Sequence, residues 1–176
     1  EFRSLRSARN RYKITSPDQE ALQSKRIGIV GLSVGASVAL TMVLESIGGA
    51  FRLADFDTLS LSTLNRLRAG VEDLGVHKTV LAARQMLALD PYLDIELFSE
   101  GITEENIERF FTADGKLDLV VEECDDLWAK VRVREMARQH RVPVVMDTRA
   151  TPAAPSVVQL KAVSGEKPGG RRFGRP

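Results

Sequence analysis

Two stretches of the chain place charged and small residues at spacings that suit phosphate chemistry. In the first, the apolar run Ile27 to Gly31 enters a turn holding Gly31, Ser33 and Gly35, and proline-free residues from Val34 to Ile47 follow. A buried strand, a small-residue turn and a helix let backbone approach a phosphate closely, and the N–H groups at the helix start favour an anion. A second apolar run, Phe51 to Ala54, ends on Asp55. An acid at that place contacts a ribose hydroxyl in dinucleotide folds. The glycine pattern is incomplete, since Gly-x-Gly-x-x-Gly would put glycine where Ser33 and Ala36 stand, and the turn alone suits any tight strand-to-helix connection. The second stretch is the acidic run Glu122-Glu123-Cys124-Asp125-Asp126, which follows the apolar Leu117 to Val121. Open α/β sheets bind ligands at that edge of a strand. Capping of the next helix explains one or two of these acids, and a bound cation explains a cluster.

Between the two stretches lies Asp55-Phe56-Asp57-Thr58-Leu59-Ser60-Leu61-Ser62-Thr63-Leu64-Asn65-Arg66, followed by Gly75-Val76-His77-Lys78. This resembles the ThiF/MoeB family, the adenylating domains related to ubiquitin-activating enzymes. The family pattern there reads Asp-x-Asp-x-Val-x-x-Ser-Asn-Leu-x-Arg and then Gly-x-x-Lys. The resemblance covers about residues 5 to 148, with Thr63 and Leu127 standing where the family has asparagine. It implies ATP and Mg²⁺ as cofactors and the adenylation of a carboxylate, in the wider family the C-terminus of a small carrier protein. Arg66 and Lys78 would then neutralise the phosphates, the turn from Gly31 through Ser33 to Gly35 would line them, and Asp55 would hold the ribose. Asn65 and Asp57 are further nucleotide contacts, and Asp57 equally suits a purely structural place in its loop. Asp126 best matches the family's metal aspartate, with Asp125 one register step away. The resemblance also implies a homodimer in which an Asn-Arg pair, here Asn10-Arg11, reaches the partner's ATP; a solvated basic arm is the plainer reading of the same residues.

Two other classes remain compatible with the residues. An NAD(P)-binding oxidoreductase domain accounts for strand, turn and ribose acid but leaves Arg66, Lys78 and Asp126 unused. A non-catalytic nucleotide-binding or interaction module accounts for the incomplete glycine motif.

Such groups need a scaffold, and the alternation of strand-like and helix-like runs predicts an α/β, Rossmann-like fold with a mostly parallel sheet and helices on both faces. A first helix is expected from Ser16, with its cap there. Others follow from Lys78 towards Pro91, from a Thr103 cap, and from Trp128 onward. The organisation reads as an N-terminal basic arm and helix over 1–25, an ATP-binding domain over 26–148, and a Pro/Gly-rich basic tail over 149–176, expected to be disordered. With 176 residues, 43% hydrophobic, the chain suits one domain. Its formal net charge of +1 gives no overall field for nucleic acid or a membrane surface, and a single cysteine allows no internal disulfide. A cytoplasmic location is the default expectation. Cys124 reads as a small apolar residue rather than a nucleophile, and His77 and His140 are too few and too scattered for a metal site.

Overall fold

The three apolar runs become strands, and two more complete the sheet: β1 (Arg26–Val30), β2 (Ala50–Ala54), β3 (Asp94–Phe98), β4 (Leu119–Glu122) and β5 (Val144–Met146). They are drawn from a computed structural model, which describes residues 1–146. The expected tail over 149–176 lies outside the described residues. All strands pair in parallel in the order β3-β2-β1-β4-β5. This is a Rossmann-like order, and the chain reverses its direction of travel across the sheet between β1 and β4.

Alternation along the strands builds a core on each face. Ile27, Ile29, Phe51, Leu53 and Val121 face one side, where α3 (Gly35–Leu44) and α4 (Lys78–Leu89) cover them with Ala39, Val43, Leu81 and Met86. Val30, Ala54 and Val120 face the other, under α5 (Ile107–Thr112) and α6 (Leu127–His140), which supply Phe110, Phe111, Val133 and Met136. Inward residues two apart in sequence thus share a face, as the pleat requires. Gly28 leaves room for this second layer, since a Cβ there would lie 2.7 Å from Leu117 and 2.8 Å from Phe110.

Helix ends depart from the sequence expectation for identifiable reasons. The helix expected to reach Ile47 stops at Leu44 because Ser46 adopts φ 57° and the Ile47 N–H turns back to the Met42 carbonyl. The cap of α2 (Ser16–Gln23) is Thr15, whose Oγ1 accepts the Asp18 N–H at 3.3 Å, and Ser16 is inside the helix. Thr103 caps a preceding turn instead of α5 itself: it and Asn106 exchange side-chain-to-backbone hydrogen bonds of 2.8 and 3.3 Å before the helix begins.

The N-terminal arm docks through Arg3, Arg6 and Asn10, while Arg9 and Arg11 are exposed. Within α1 (Phe2–Arg6), Arg3 Nε lies 2.9 Å from the buried Asp90 carboxylate, and Arg6 Nη2 donates to the Val43 carbonyl at 2.5 Å. Asn10 donates to Gln19 Oε1 at 2.8 Å and to the Glu45 carbonyl at 3.1 Å, so it is engaged within its own chain. Among the described residues no helix is long and apolar enough to cross a membrane.

Candidate active site

The carboxyl ends of β1, β2 and β4 meet at the point where the strand order reverses. Gly31 follows β1 at φ 85°, and its N–H donates to the Ala54 carbonyl while the Glu123 N–H donates to Val30. A Cβ at 31 would stand 2.6 Å from the Cys124 backbone nitrogen, so glycine is demanded by the approach of the β4 loop as well as by the positive φ. Gly35 opens α3, and a Cβ there would lie 2.9 Å from Ile29 Cγ2, which lets the helix ride close on the strand. Val34 provides no side-chain cap, leaving the first N–H groups of this helix to another acceptor.

Asp55 is buried, and both oxygens already accept backbone N–H groups: Oδ2 from Leu32 at 2.7 Å, Oδ1 from Asp57 at 2.8 Å. It straps the glycine turn to the loop after β2, a job that its expected ribose contact did not include. The Thr58–His77 bridge then brings Asp57 beside Lys78, the first residue of α4. Lys78 Nζ lies 2.5 Å from Asp57 Oδ2 and 3.8 Å from Asp55 Oδ1, and it donates to Ser33 Oγ at 3.2 Å. A turn and a lysine 45 residues apart are thereby joined at one point.

On the opposite wall, the acidic run divides by environment. Glu122 is fully buried, and its Oε1 accepts from the Cys124 N–H at 3.0 Å, the Cys124 thiol at 3.2 Å and Lys130 Nζ at 2.8 Å. Its Oε2 has no hydrogen-bond partner, and Arg134 Nη2 is 3.9 Å away. Asp126 is the cap of α6, its Oδ1 accepting the Trp128 N–H at 2.9 Å. The carboxylate expected to serve a metal is thus partly committed to a helix end, whereas Asp125 is exposed and makes no hydrogen bond or ion pair among the described residues.

Burial, reinforced by the neighbouring Glu122 carboxylate, pushes the Cys124 thiol up to about 12. Because the value is raised, thiolate forms only as pH climbs towards it, and Cys124 stays a protonated donor at neutral pH. Iodoacetamide at pH 8 should therefore modify Cys124 on the order of 1,000-fold more slowly than an ordinary thiol. Alkylation at the rate of a free cysteine would refute the protonated assignment.

These walls border an open cavity of about 640 Å³, a figure that includes solvent at its mouth. Gly31, Ser33, Asp55, Asp57, Lys78 and Asp126 line it, together with Phe56, Glu123 and Asp125. Five carboxylates thus share the lining with a single ammonium. Arg66, Asn65 and Arg11 do not reach it. Arg66 is exposed and donates to the Ser62 carbonyl at 3.3 Å and to Asn65 Oδ1 at 3.2 Å, while Arg11 stacks over Tyr12 at 4.9 Å. Sequence reasoning missed Phe56, a ring 64% exposed at the mouth, for which the only signal was its place between two aspartates. It also missed Lys130 as the partner of Glu122.

No group of three or more His, Cys, Asp or Glu side chains is arranged to hold a metal among the described residues. Mg²⁺ delivered with a nucleotide needs only one or two carboxylates beside phosphate oxygens and water, which Asp125 and the free oxygen of Asp126 can offer.

A five-stranded parallel sheet with a lysine-bearing cavity at its switch point defines a Rossmann-like α/β architecture. Residues 7–155 match the ThiF family, and the chain belongs to that family. The uncharacterized protein MT1398 of Mycobacterium tuberculosis is 47% identical over 147 residues, which is 84% of this chain and 20% of that protein. tRNA threonylcarbamoyladenosine dehydratase 2 of Saccharomyces cerevisiae is 29% identical over 133 residues, 75% of this chain and 30% of that protein. The chain therefore spans less than a third of the length of these curated relatives. Among solved structures, the E. coli tRNA N6-threonylcarbamoyladenosine dehydratase TcdA in complex with ATP superposes with a TM-score of 0.75 at 19% identity, covering 81% of this chain and 58% of that one. E. coli MccB gives 0.63 at 19% identity over 73% and 36%. Both show the shared fold.

Proposed function

We propose that this domain binds Mg-ATP in the cavity and adenylates a carboxylate. The carboxylate oxygen attacks the α-phosphorus, a P–O bond to the β-phosphate breaks, and acyl-adenylate and pyrophosphate result. Such chemistry asks a protein mainly for alignment and for neutralisation of phosphate charge. The observation that carries the reading is Lys78: a buried ammonium held at the glycine turn, facing a helix start whose N–H groups lack a side-chain cap.

In this assignment the Gly31–Gly35 turn and the start of α3 receive the phosphates, Lys78 neutralises them, and Asp55 fixes the turn while offering its remaining lone pairs to the ribose. Asp125 takes the metal role and Asp126 holds the helix that presents it. Bound Mg²⁺ would shield phosphate oxygens from one another and from the attacking carboxylate. Arg66 and Asn65 would join only if the 61–66 segment moved inward, and Arg11 would serve a second copy of the chain in a homodimer. A small protein's C-terminus is the carboxylate this proposal favours, on family resemblance. The TcdA complex with ATP, though distant in sequence, supports the choice of nucleotide.

One observation favours a second reading, nucleotide binding without turnover: Arg66, the other expected phosphate cation, stands outside the cavity. Calorimetric titration with Mg-ATP and with NAD tests the common ground. Saturable binding of Mg-ATP and none of NAD is expected; NAD binding without ATP binding would sink both readings and return the oxidoreductase class.

A further inference from the structure

The ammonium on which phosphate binding rests is already in use. Lys78 Nζ contacts Asp57 at 2.5 Å, far closer than Asp55 at 3.8 Å. The pair is asymmetric: the Lys78 side chain is 5% exposed and that of Asp57 is 50% exposed. Lys78 is also fixed by its donation to Ser33, and the Lys78 N–H donates to the Asp57 carbonyl at 3.0 Å, so the two backbones are held together. Asp55 cannot swing away, because both its oxygens are tied to backbone N–H groups. Only the Asp57 carboxylate has water on one side and freedom to turn into it.

We propose that Asp57 is an internal counter-ion that occupies the phosphate's place on Lys78, and that nucleotide binds by exchange with it. The proposal rests on reading the cavity as an ATP site and adds a specificity-determining residue to that reading. A buried ammonium is strongly disfavoured unless an anion meets it at hydrogen-bonding distance, and Asp55, fixed 3.8 Å away, leaves that place to Asp57 or to a phosphate. An entering ligand must then offer Lys78 more than a carboxylate at hydrogen-bonding distance. A polyphosphate, with several charged oxygens and a metal ion, does so; a neutral or singly charged ligand does not. The exchange is a side-chain rotation of Asp57 and asks for no backbone movement.

Mg-ATP titration of the whole chain tests this with three variants. Asp57→Asn, or Asp57→Ser should the first not fold, removes the competitor. It is expected to bind Mg-ATP at least about 10-fold more tightly than the unmodified chain. Its ligand-free thermal midpoint should fall and the rise on adding Mg-ATP should grow. In a Lys78→Met background the same substitution at 57 should bring no gain, since there is no cation left to release. Equal or weaker binding by the Asp57 variant, beside saturable binding by the unmodified chain, overturns the exchange and leaves the ATP site standing. A gain that persists without Lys78 also overturns it, by showing a general relief of negative charge. Absence of Mg-ATP binding in every form overturns both the exchange and the ATP site.

Discussion

Asp125→Asn should lower ATP–pyrophosphate exchange by about 100-fold or more, roughly 3 kcal/mol of transition-state stabilisation, while leaving the fold intact. Its carboxylate is exposed at the cavity wall and engages nothing else among the described residues, so the substitution removes charge without breaking a structural contact. Asp126→Asn is the companion. Asparagine caps helices about as well as aspartate, so α6 keeps its first turn and exchange should change by no more than about threefold. Asp126→Ala, by contrast, removes the bond to the Trp128 N–H and should cost about 1 kcal/mol of stability. A silent Asp125→Asn beside an inactive Asp126→Asn would return the metal to the residue the sequence pattern favoured. If neither affects a demonstrable exchange activity, the loop is structural.

Gly31→Ala carries the largest expected stability loss. The φ of 85° costs an L-residue about 1–2 kcal/mol by itself. The added Cβ would also press on the backbone of Glu123 and Cys124, at 2.7 and 2.6 Å. Peptide groups cannot rotate aside as a flexible side chain can, so β1 and β4 must part where their loops cross. A loss of at least about 3 kcal/mol is expected from urea unfolding, a large share of the 5–15 kcal/mol typical of a domain. A loss under about 1 kcal/mol would mean that the junction relaxes freely and that glycine was not required there.

What could be read from the sequence was what local order determines. The strand-turn-helix from Arg26 to Leu44, the acid ending β2 and the helix that begins at Lys78 each lie within a few neighbours of their signals, and the sheet follows from their alternation. Arg52 was hidden in such a run. It points out of β2 into the second layer, where it donates to the Phe110 and Gly115 carbonyls and pairs with Glu96, partners 58, 63 and 44 positions on. The docking of Arg3 on Asp90 and the burial of Glu122 under Lys130 are likewise products of packing. The one-residue ambiguity between Asp125 and Asp126 is of another kind. Either residue could begin the helix, and only the observed phase of α6 makes one the cap and leaves the other to the cavity.

The unequal lining of the cavity acts beyond its walls. Five carboxylates facing one ammonium in a cleft give a negative potential that water inside the mouth screens poorly. On the proposed reading, a bare ATP tetra-anion should be repelled by this field and dissolved salt should speed its approach, the reverse of the familiar case in which salt slows a charged ligand drawn to its site. At about 0.1 M ionic strength the repulsion reaches about 10 Å. Divalent cations are pulled towards the same mouth. On the proposed reading, the metal-complexed nucleotide, with two fewer negative charges than the bare tetra-anion, meets the weaker repulsion before base or sugar has met any residue.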